Sequence, residues 1–358
     1  MFDLTSWVHV LKNDEGYCNV INDCIKNNQI LTIDNKVVRR EFEEFFSKFT
    51  PQQLNAYCYG VSGSEAIEHA LIIAEHITKK SKFLHFGGCY HGSSICLLNI
   101  TYSETKRVSD YVFDILHPPY ETKDIGEFPD MDDFFEKLPV ENEYAGVIID
   151  PSFGNMVFNA GIHFFLKLRK YCYEKKVMLI FDEVRTGIGR TGKMFAFEQY
   201  DIVPDILCIS KALSNGFPLS VTIYDGNSLY ETEKRNLHNR IETTFAGQDL
   251  ALKSAMYTVE KISEDMTQIA KKAIYIIKRL EELKKYKCIC EVRNFGMIFG
   301  MEFSDNWSAI KFFTLVNKKN IRVNYPNKTV VVLSPSLCIE VQEIDEIMDS
   351  FHDVCSFI

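Results

Sequence analysis

The stretch Leu179–Gly192, "LIFDEVRTGIGRTG", poses the choice that decides the fold. Its glycines Gly187, Gly189 and Gly192 spell G-x-G-x-x-G, the spacing of a dinucleotide-binding loop. That loop needs its first glycine directly after a strand and its last one opening a helix. It also needs an acid about 20 residues on, at the end of the next strand. Here Asp182, Glu183, Val184 and Arg185 stand between the apolar run "VMLIF" and any glycine. The candidate acid, Asp205, precedes its apolar run "ILCI" instead of ending it, and Lys193, Met194 and Phe195 make a poor helix start. A nucleotide-binding dehydrogenase is therefore set aside. What needs explaining is an aspartate at the end of a buried strand.

Around that strand, from about residue 55 to 225, the apolar runs "NAYCYG", "KFLHF", "AGVIID", "VMLIF" and "DILCIS" alternate with amphipathic stretches such as "GIHFFLKLRKYCYEKK". This alternation predicts an α/β fold, a mostly parallel sheet flanked by helices on both faces. Ligands of such sheets sit beyond the carboxyl ends of the strands. Upstream, "RREFEEFFSKF" has helical spacing. Downstream, Ile262, Met266, Ile269, Ala273, Ile276, Leu280 and Leu283 recur at three- and four-residue steps and predict one long helix. Then "CICEVRNFGMIFGMEF" reads as two strands about a glycine, "KTVVVLSPS" as a third, and "EIDEIMDSFHDV" as a closing helix. The division expected is a short N-terminal segment (1–50), a large domain (51–255) and a smaller C-terminal α+β domain (256–358).

A chain of 358 residues with 46% hydrophobic content can bury one large core and a smaller one. A net charge of −9 without a basic block argues against a nucleic-acid partner. The opening "MFDLTSWVHVLKND" lacks a basic region followed by an apolar one, so no secretory signal is expected. No apolar run approaches the roughly 18 residues of a membrane span. The eleven cysteines are odd in number and form no C-x-x-C, and no H-E-x-x-H occurs. No metal site is expected; most of the cysteines read as buried hydrophobes of a protein in the reducing cytoplasm.

Three polar positions stand where strands should end. Asp182 follows "VMLIF", Lys211 follows "DILCIS", and Ser62, Gly63 and Ser64 follow "NAYCYG" at the start of a helix. The helix start offers free N–H groups and a partial positive charge suited to a phosphate, although Ser62 with Glu65 is also a capping box. A strand-end lysine is either a surface side chain or, if buried, an amine of lowered pKa able to form an imine. A strand-end aspartate caps the next turn or holds a pyridine nitrogen protonated. Together the three fit pyridoxal phosphate (PLP).

At this point the residues resemble a known family. "LIFDEVRTGIGRTGKMFAFEQYDIVPDILCISKAL" looks like the cofactor-lysine signature of the class III PLP-dependent aminotransferases. "SGSEA", "GGCYHG", "IIDPSFGNM", "TTFAGQDLA" and "VRNFGMIFGMEF" follow in family order. "GCYHG" and "GNM" lean toward glutamate-1-semialdehyde aminomutases, "TGIGRTG" toward ω-aminotransferases. The resemblance implies PLP fold type I and a homodimer with shared active sites. It implies that Lys211 carries the cofactor and moves the substrate proton, and that Asp182 pairs with the ring nitrogen. Val184 and Tyr90 would pack on the two ring faces, with His91 either a ring contact or a core histidine. Gly63 and Ser64 would bind the phosphate, joined by Thr244 of the second subunit. The glycines of "TGIGRTG" become a backbone turn near the subunit interface.

Several positions depart from the pattern. Only about 60 residues precede "SGSEA", where relatives carry a longer segment that walls the substrate pocket. "EP" is "DP" here (Asp150, Pro151), "GNPLA" is "GQDLA", and Arg185 replaces a neutral residue near the cofactor's phenolic oxygen. The arginine that many relatives use for a substrate carboxylate is missing from "VVVLSPSL". Asp150, Asn155 and Arg185 remain as substrate-side candidates. The expected function is transfer of an amino group between small-molecule amine and carbonyl substrates. Aminomutase, racemase or decarboxylase outcomes need the same Lys211 and Asp182, and a cofactor-binding protein without turnover is the rival of another class.

Overall fold

The computed structural model describes residues 2–27, 36–101, 112–116, 132–139, 143–229, 233, 237, 240–241, 243–325 and 328–358. The chain starts with strand β1 (Phe2–Asp3) and helices α1 (Glu15–Lys26) and α2 (Lys36–Phe46). The central elements follow as β2 (Ala56–Gly60), α3 (Gly63–Thr78), β3 (Lys82–Phe86), β4 (Val112–Leu116), α4 (Asp132–Glu136) and β5 (Tyr144–Ile149). Next come α5 (Gly161–Lys175), β6 (Met178–Asp182), β7 (Ile206–Ile209) and β8 (Ser220–Tyr224). Seven strands pair in the order β2-β8-β7-β6-β5-β3-β4. Strand β8 is antiparallel to both neighbours and the other pairs are parallel. Because β8 opposes both β2 and β7, β2 runs with the parallel strands. The ends of β2, β3, β5, β6 and β7 therefore open on one edge of the sheet.

Alternation along the strands sorts two cores. Phe83, Ile148, Ile180, Ile206 and Cys208 face the α3 side with Ala66, Ile67, Ala70 and Ile73. Their neighbours Leu84, Val147, Ile149, Leu179, Phe181, Leu207 and Ile209 face the other side with Phe164, Phe165 and Leu168 of α5. Strands buried on both faces read as unbroken apolar runs, which is how they appear in the sequence.

The periodic stretch after residue 248 is α6 (Asp249–Glu281), 33 residues and about 50 Å long. It packs on α1 and α2 and reaches β9 (Ile289–Phe295). After β9 come β10 (Ile298–Phe303), α7 (Asn306–Lys318), β11 (Ile321–Arg322), β12 (Val330–Leu333) and α8 (Val341–Ser356). The expected three strands form an antiparallel sheet in the order β12-β10-β9. Gly296 turns the β9-β10 hairpin at φ +58, and a Cβ there would meet the Thr191 backbone at 2.4 Å. Met297 N–H donates to the Arg190 carbonyl at 2.8 Å. The glycine-rich stretch is thus a turn against which the smaller sheet docks, with Gly189 and Gly192 at φ +77 and +89.

The N-terminal segment is not helical throughout. Residues Phe2 and Asp3 pair in parallel with Ile321 and Arg322, and Thr5 bridges to Ser334. A two-residue strand is too short to leave an alternation in the sequence. All eleven cysteines are free, and seven are buried.

Candidate active site

The loops at the carboxyl edge enclose a pocket of about 380 Å³, within the usual range of ligand clefts. Gly63 and Ser64, Tyr90 and His91, Asp150 and Asn155, Asp182, Val184, Arg185 and Lys211 all line it. Every sequence-derived candidate except Thr244 is therefore gathered in one place. Thr244 is exposed in turn 244–247, outside the described lining of its own chain's pocket.

Helix α3 begins as its sequence suggests. Ser62 caps it in extended conformation, its hydroxyl accepting from Glu65 N–H at 3.3 Å. The reciprocal bond of a capping box is displaced by one residue, because Glu65 accepts from Val61 N–H instead of Ser62 N–H. Its first turn is packed too closely to admit larger residues. A Cβ on Gly63 would meet Val184 Cγ1 at 2.6 Å, and one on Gly92, at φ +123, would meet Ser64 Oγ at 2.4 Å. Glycines at these two positions keep further side chains off a positive helix end whose free amides suit an anion.

Asp182 ends β6 and is buried. His91 Nδ1 lies 2.7 Å from its Oδ2, and Val184 N–H donates to Oδ1 at 3.1 Å. A carboxylate only accepts, so Nδ1 carries the proton. His91 is thus a buried partner of Asp182 that also lines the pocket, and among the described residues its Nε2 has no hydrogen-bond partner. Val184 reaches the pocket because the strand stops at Asp182 and the chain turns, not through strand alternation. Glu183 points elsewhere, accepting from Ala196 N–H and Phe197 N–H.

Lys211 stands two residues beyond β7, opening a 3-10 turn at φ +34. The turn is fixed by Ser210, whose hydroxyl donates to the Leu219 carbonyl at 2.8 Å, and by Asn215. Burial pushes the Lys211 ammonium down to about 8, the Arg185 charge adds to the fall, and Asp182 and Asp150 oppose it. That is the environment of a nucleophilic amine rather than a surface lysine.

Arg185 lies on the pocket wall and is already engaged. Its Nη2 is 3.3 Å from Asp150 Oδ2 and also donates to Ser152 Oγ and the Gly154 carbonyl. Nη1 donates to Asn155 Oδ1 at 3.5 Å, and among the described residues Nε has no hydrogen-bond partner. Asp150 in turn accepts from Ser152 N–H at 2.9 Å and Gly154 N–H at 3.1 Å.

Trp7, Gly92, Asn324, Tyr325 and Val332 complete the wall and are not among the candidates from sequence. The only signal for Trp7 was that the chain has just two tryptophans. Among the described residues, no group of three or more His, Cys, Asp or Glu could hold a metal ion, and no helix is long and apolar enough to cross a membrane.

A buried amine, a histidine-held carboxylate and a cleared helix end around one pocket fit PLP. Comparison with known proteins agrees. The chain resembles the acetylornithine aminotransferase of Methanosarcina mazei, 30% identical over 316 residues that make up 87% of this chain and 75% of the relative. It also resembles the LysW-aminoadipate semialdehyde/glutamate semialdehyde transaminase of Sulfolobus acidocaldarius, 29% identical over 86% of this chain and 77% of that one. In fold it matches adenosylmethionine-8-amino-7-oxononanoate aminotransferase from Methanocaldococcus jannaschii. The TM-score is 0.87 at 23% identity, covering 99% and 88% of the two chains. A transaminase from the marine bacterium Virgibacillus gives 0.83 at 18% identity, covering 98% and 87%. The class-III aminotransferase family model matches residues 11–355, and the chain belongs to that family of PLP-dependent enzymes.

Proposed function

We propose that this aminotransferase uses Lys211 and Asp182 as its catalytic pair and takes its amino group from the terminal amine of an ω-amino compound. The observation that carries the assignment is the convergence of Lys211, the Asp182–His91 pair and the Gly63–Ser64 helix start on one pocket. The donor class is supported by the names of the relatives, which refer to acetylornithine and to semialdehydes.

When bound, PLP supplies an electron-withdrawing ring that stabilises negative charge on the substrate carbon bearing nitrogen. The protein's part is distributed over few residues. Lys211 Nζ would tether the cofactor, then move a proton from that carbon. Asp182, oriented by His91 Nδ1 and Val184 N–H, would hold a proton on the ring nitrogen. Gly63 and Ser64 would take the phosphate at the α3 terminus, while Val184 and Tyr90 would bracket the ring. Arg185, Asp150 and Asn155 form the polar wall on the substrate side, and Asn324, Tyr325 and Val332 an uncharged one. We assign residues 51–255 to the cofactor domain and 256–358 to the smaller one, in a cytoplasmic protein.

The test is a donor panel on holoenzyme, after borohydride has located the cofactor. The expected label is on Lys211, and ω-amino donors should bleach the visible band and leave the amine form of the cofactor. Donor-dependent gas release, or racemisation without loss of the band, would redirect the assignment to another reaction.

Thr244 and the 61%-exposed Phe245 in turn 244–247 support a homodimer in which this turn reaches the neighbour's phosphate. Cofactor should then dissociate in step with dilution into monomers, as followed by sedimentation and visible absorbance. A monomer that keeps PLP as tightly as the dimer would refute the shared site.

A further inference from the structure

We propose that Trp7 is a positioning residue of the active site, its indole face holding the cationic end of Lys211 at the pocket beside Arg185. The inference rests on Lys211 being the cofactor lysine. Its basis is that one ring meets three cations: Arg185 at 5.0 Å from the centroid, Lys211 Nζ at 5.8 Å and Arg190 at 6.0 Å. Cations within about 6 Å of an indole face are attracted by its quadrupole, most strongly where water is excluded.

Two carboxylates face these three cations, and each also has another partner. Asp150 is taken up by Arg185, and Asp182 is bound to His91. Arg190 is fully buried, and its guanidinium donates to the carbonyls of Pro335 and Ser6. The charged groups facing Lys211 are Arg185, which disfavours its charge, and Asp182 and Asp150, which favour it. A π face is the additional source of stabilisation the fold brings to the ammonium.

The ring is also delivered on a fixed strap. On one side of Trp7, Leu4 N–H donates to the Arg322 carbonyl at 2.8 Å, and Ser334 N–H donates to the Leu4 carbonyl at 2.8 Å. Arg190 Nη2 donates to the Ser6 carbonyl at 2.9 Å. On the other side, Asn215 Oδ1 accepts from Val10 N–H and Leu11 N–H at 2.8 and 2.9 Å. Ser336 Oγ donates to the Val10 carbonyl at 2.9 Å. Asn215 is the residue that ends the Lys211 turn, so the segment carrying Trp7 and the turn carrying Lys211 share an anchor. Gly216, at φ +121, admits the strap, because a Cβ there would meet His9 Cε1 at 2.9 Å.

The sign of the effect follows. The π face favours the charged form of nitrogen on Lys211, so removing it lowers the pH at which that nitrogen loses its proton. Arg185 stays in place through Asp150, Ser152 and Gly154, and its repulsion is then less opposed. The test compares Trp7→Met, which keeps bulk without a ring, with Trp7→Phe. Two midpoints are read: the pH titration of the visible band of cofactor on Lys211, and the pH dependence of Lys211 arylation by fluorodinitrobenzene in cofactor-free protein. Trp7→Met should lower both by about half a unit to one unit, and Trp7→Phe should recover at least half of the shift. Unmoved midpoints in Trp7→Met, even with lowered activity, would make Trp7 only a wall and overturn the proposal, as would a Phe variant no better than Met. If Trp7→Met does not fold, Trp7→Phe against wild type decides, since its weaker ring should still shift the midpoints downward. A borohydride label on a lysine other than Lys211 overturns both this inference and the catalytic assignment; a label on Lys211 with unmoved midpoints overturns this one alone.

Discussion

Lys211→Ala should give a folded protein that takes up PLP weakly and turns over slower by on the order of 10⁴-fold or more. The substitution removes one amine and leaves the rest of the pocket standing. Asp182 keeps its bonds to His91 and Val184, and the α3 terminus keeps its cleared amides. Phosphate and ring contacts should thus persist, while the proposed tether and proton carrier would be lost together. Alanine at this site still has to adopt φ +34, a conformation the surrounding turn enforces through Ser210 and Asn215. Exogenous methylamine should restore part of the single-turnover rate, because only the amine is missing. A variant that keeps more than about a tenth of wild-type turnover would show that another group does this work.

The parts of the site that could be read in sequence share one property: they lie where an apolar run stops. Asp182 ends one buried strand and Lys211 stands two residues past the end of the next, and the rule that ligands sit at the carboxyl edge brings the two together in one site. Ser62 was legible because a cap and a helix pattern adjoin in sequence. Position alone also rejected the nucleotide loop, since the glycines come after a turn and not directly after a strand. Contacts between distant segments were not legible. His91 and Asp182 are 91 residues apart, and nothing local to "GCYHG" says which carboxylate its histidine will meet. Trp7 reaches the pocket because a two-residue strand pairs with Ile321 and Arg322 at the other end of the chain. Arg185 was a candidate for ring or substrate, yet its commitment to Asp150, Ser152 and the Gly154 carbonyl depends on how the loop after β5 folds back. Asn324 and Tyr325 line the wall from a loop whose sequence has no pattern of its own.

Asp182→Asn tests the reading of the opening stretch, and its effects on chemistry and on stability should separate. In the wild-type site the carboxylate accepts from His91 Nδ1 at 2.7 Å and from Val184 N–H at 3.1 Å. An asparagine can keep its oxygen on Val184 N–H and turn its amide toward His91. The histidine can accommodate that by moving its proton to Nε2, which has no partner to lose. The fold should therefore survive, with the melting temperature changed by a few degrees at most. The charge does not survive. Without it, nothing in the site holds a proton on the ring nitrogen, and the negative charge that develops on the substrate carbon loses its sink. The expected cost is on the order of 4 kcal/mol, roughly a thousandfold in the proton-transfer step, with cofactor affinity falling far less. Stopped-flow single turnovers against a deuterated donor resolve that step, and dialysis followed by absorbance gives the affinity. Should Asp182→Asn turn over near the wild-type rate, the aspartate would be no more than a cap for Val184 N–H, and the chemistry would have to be sought elsewhere in the pocket.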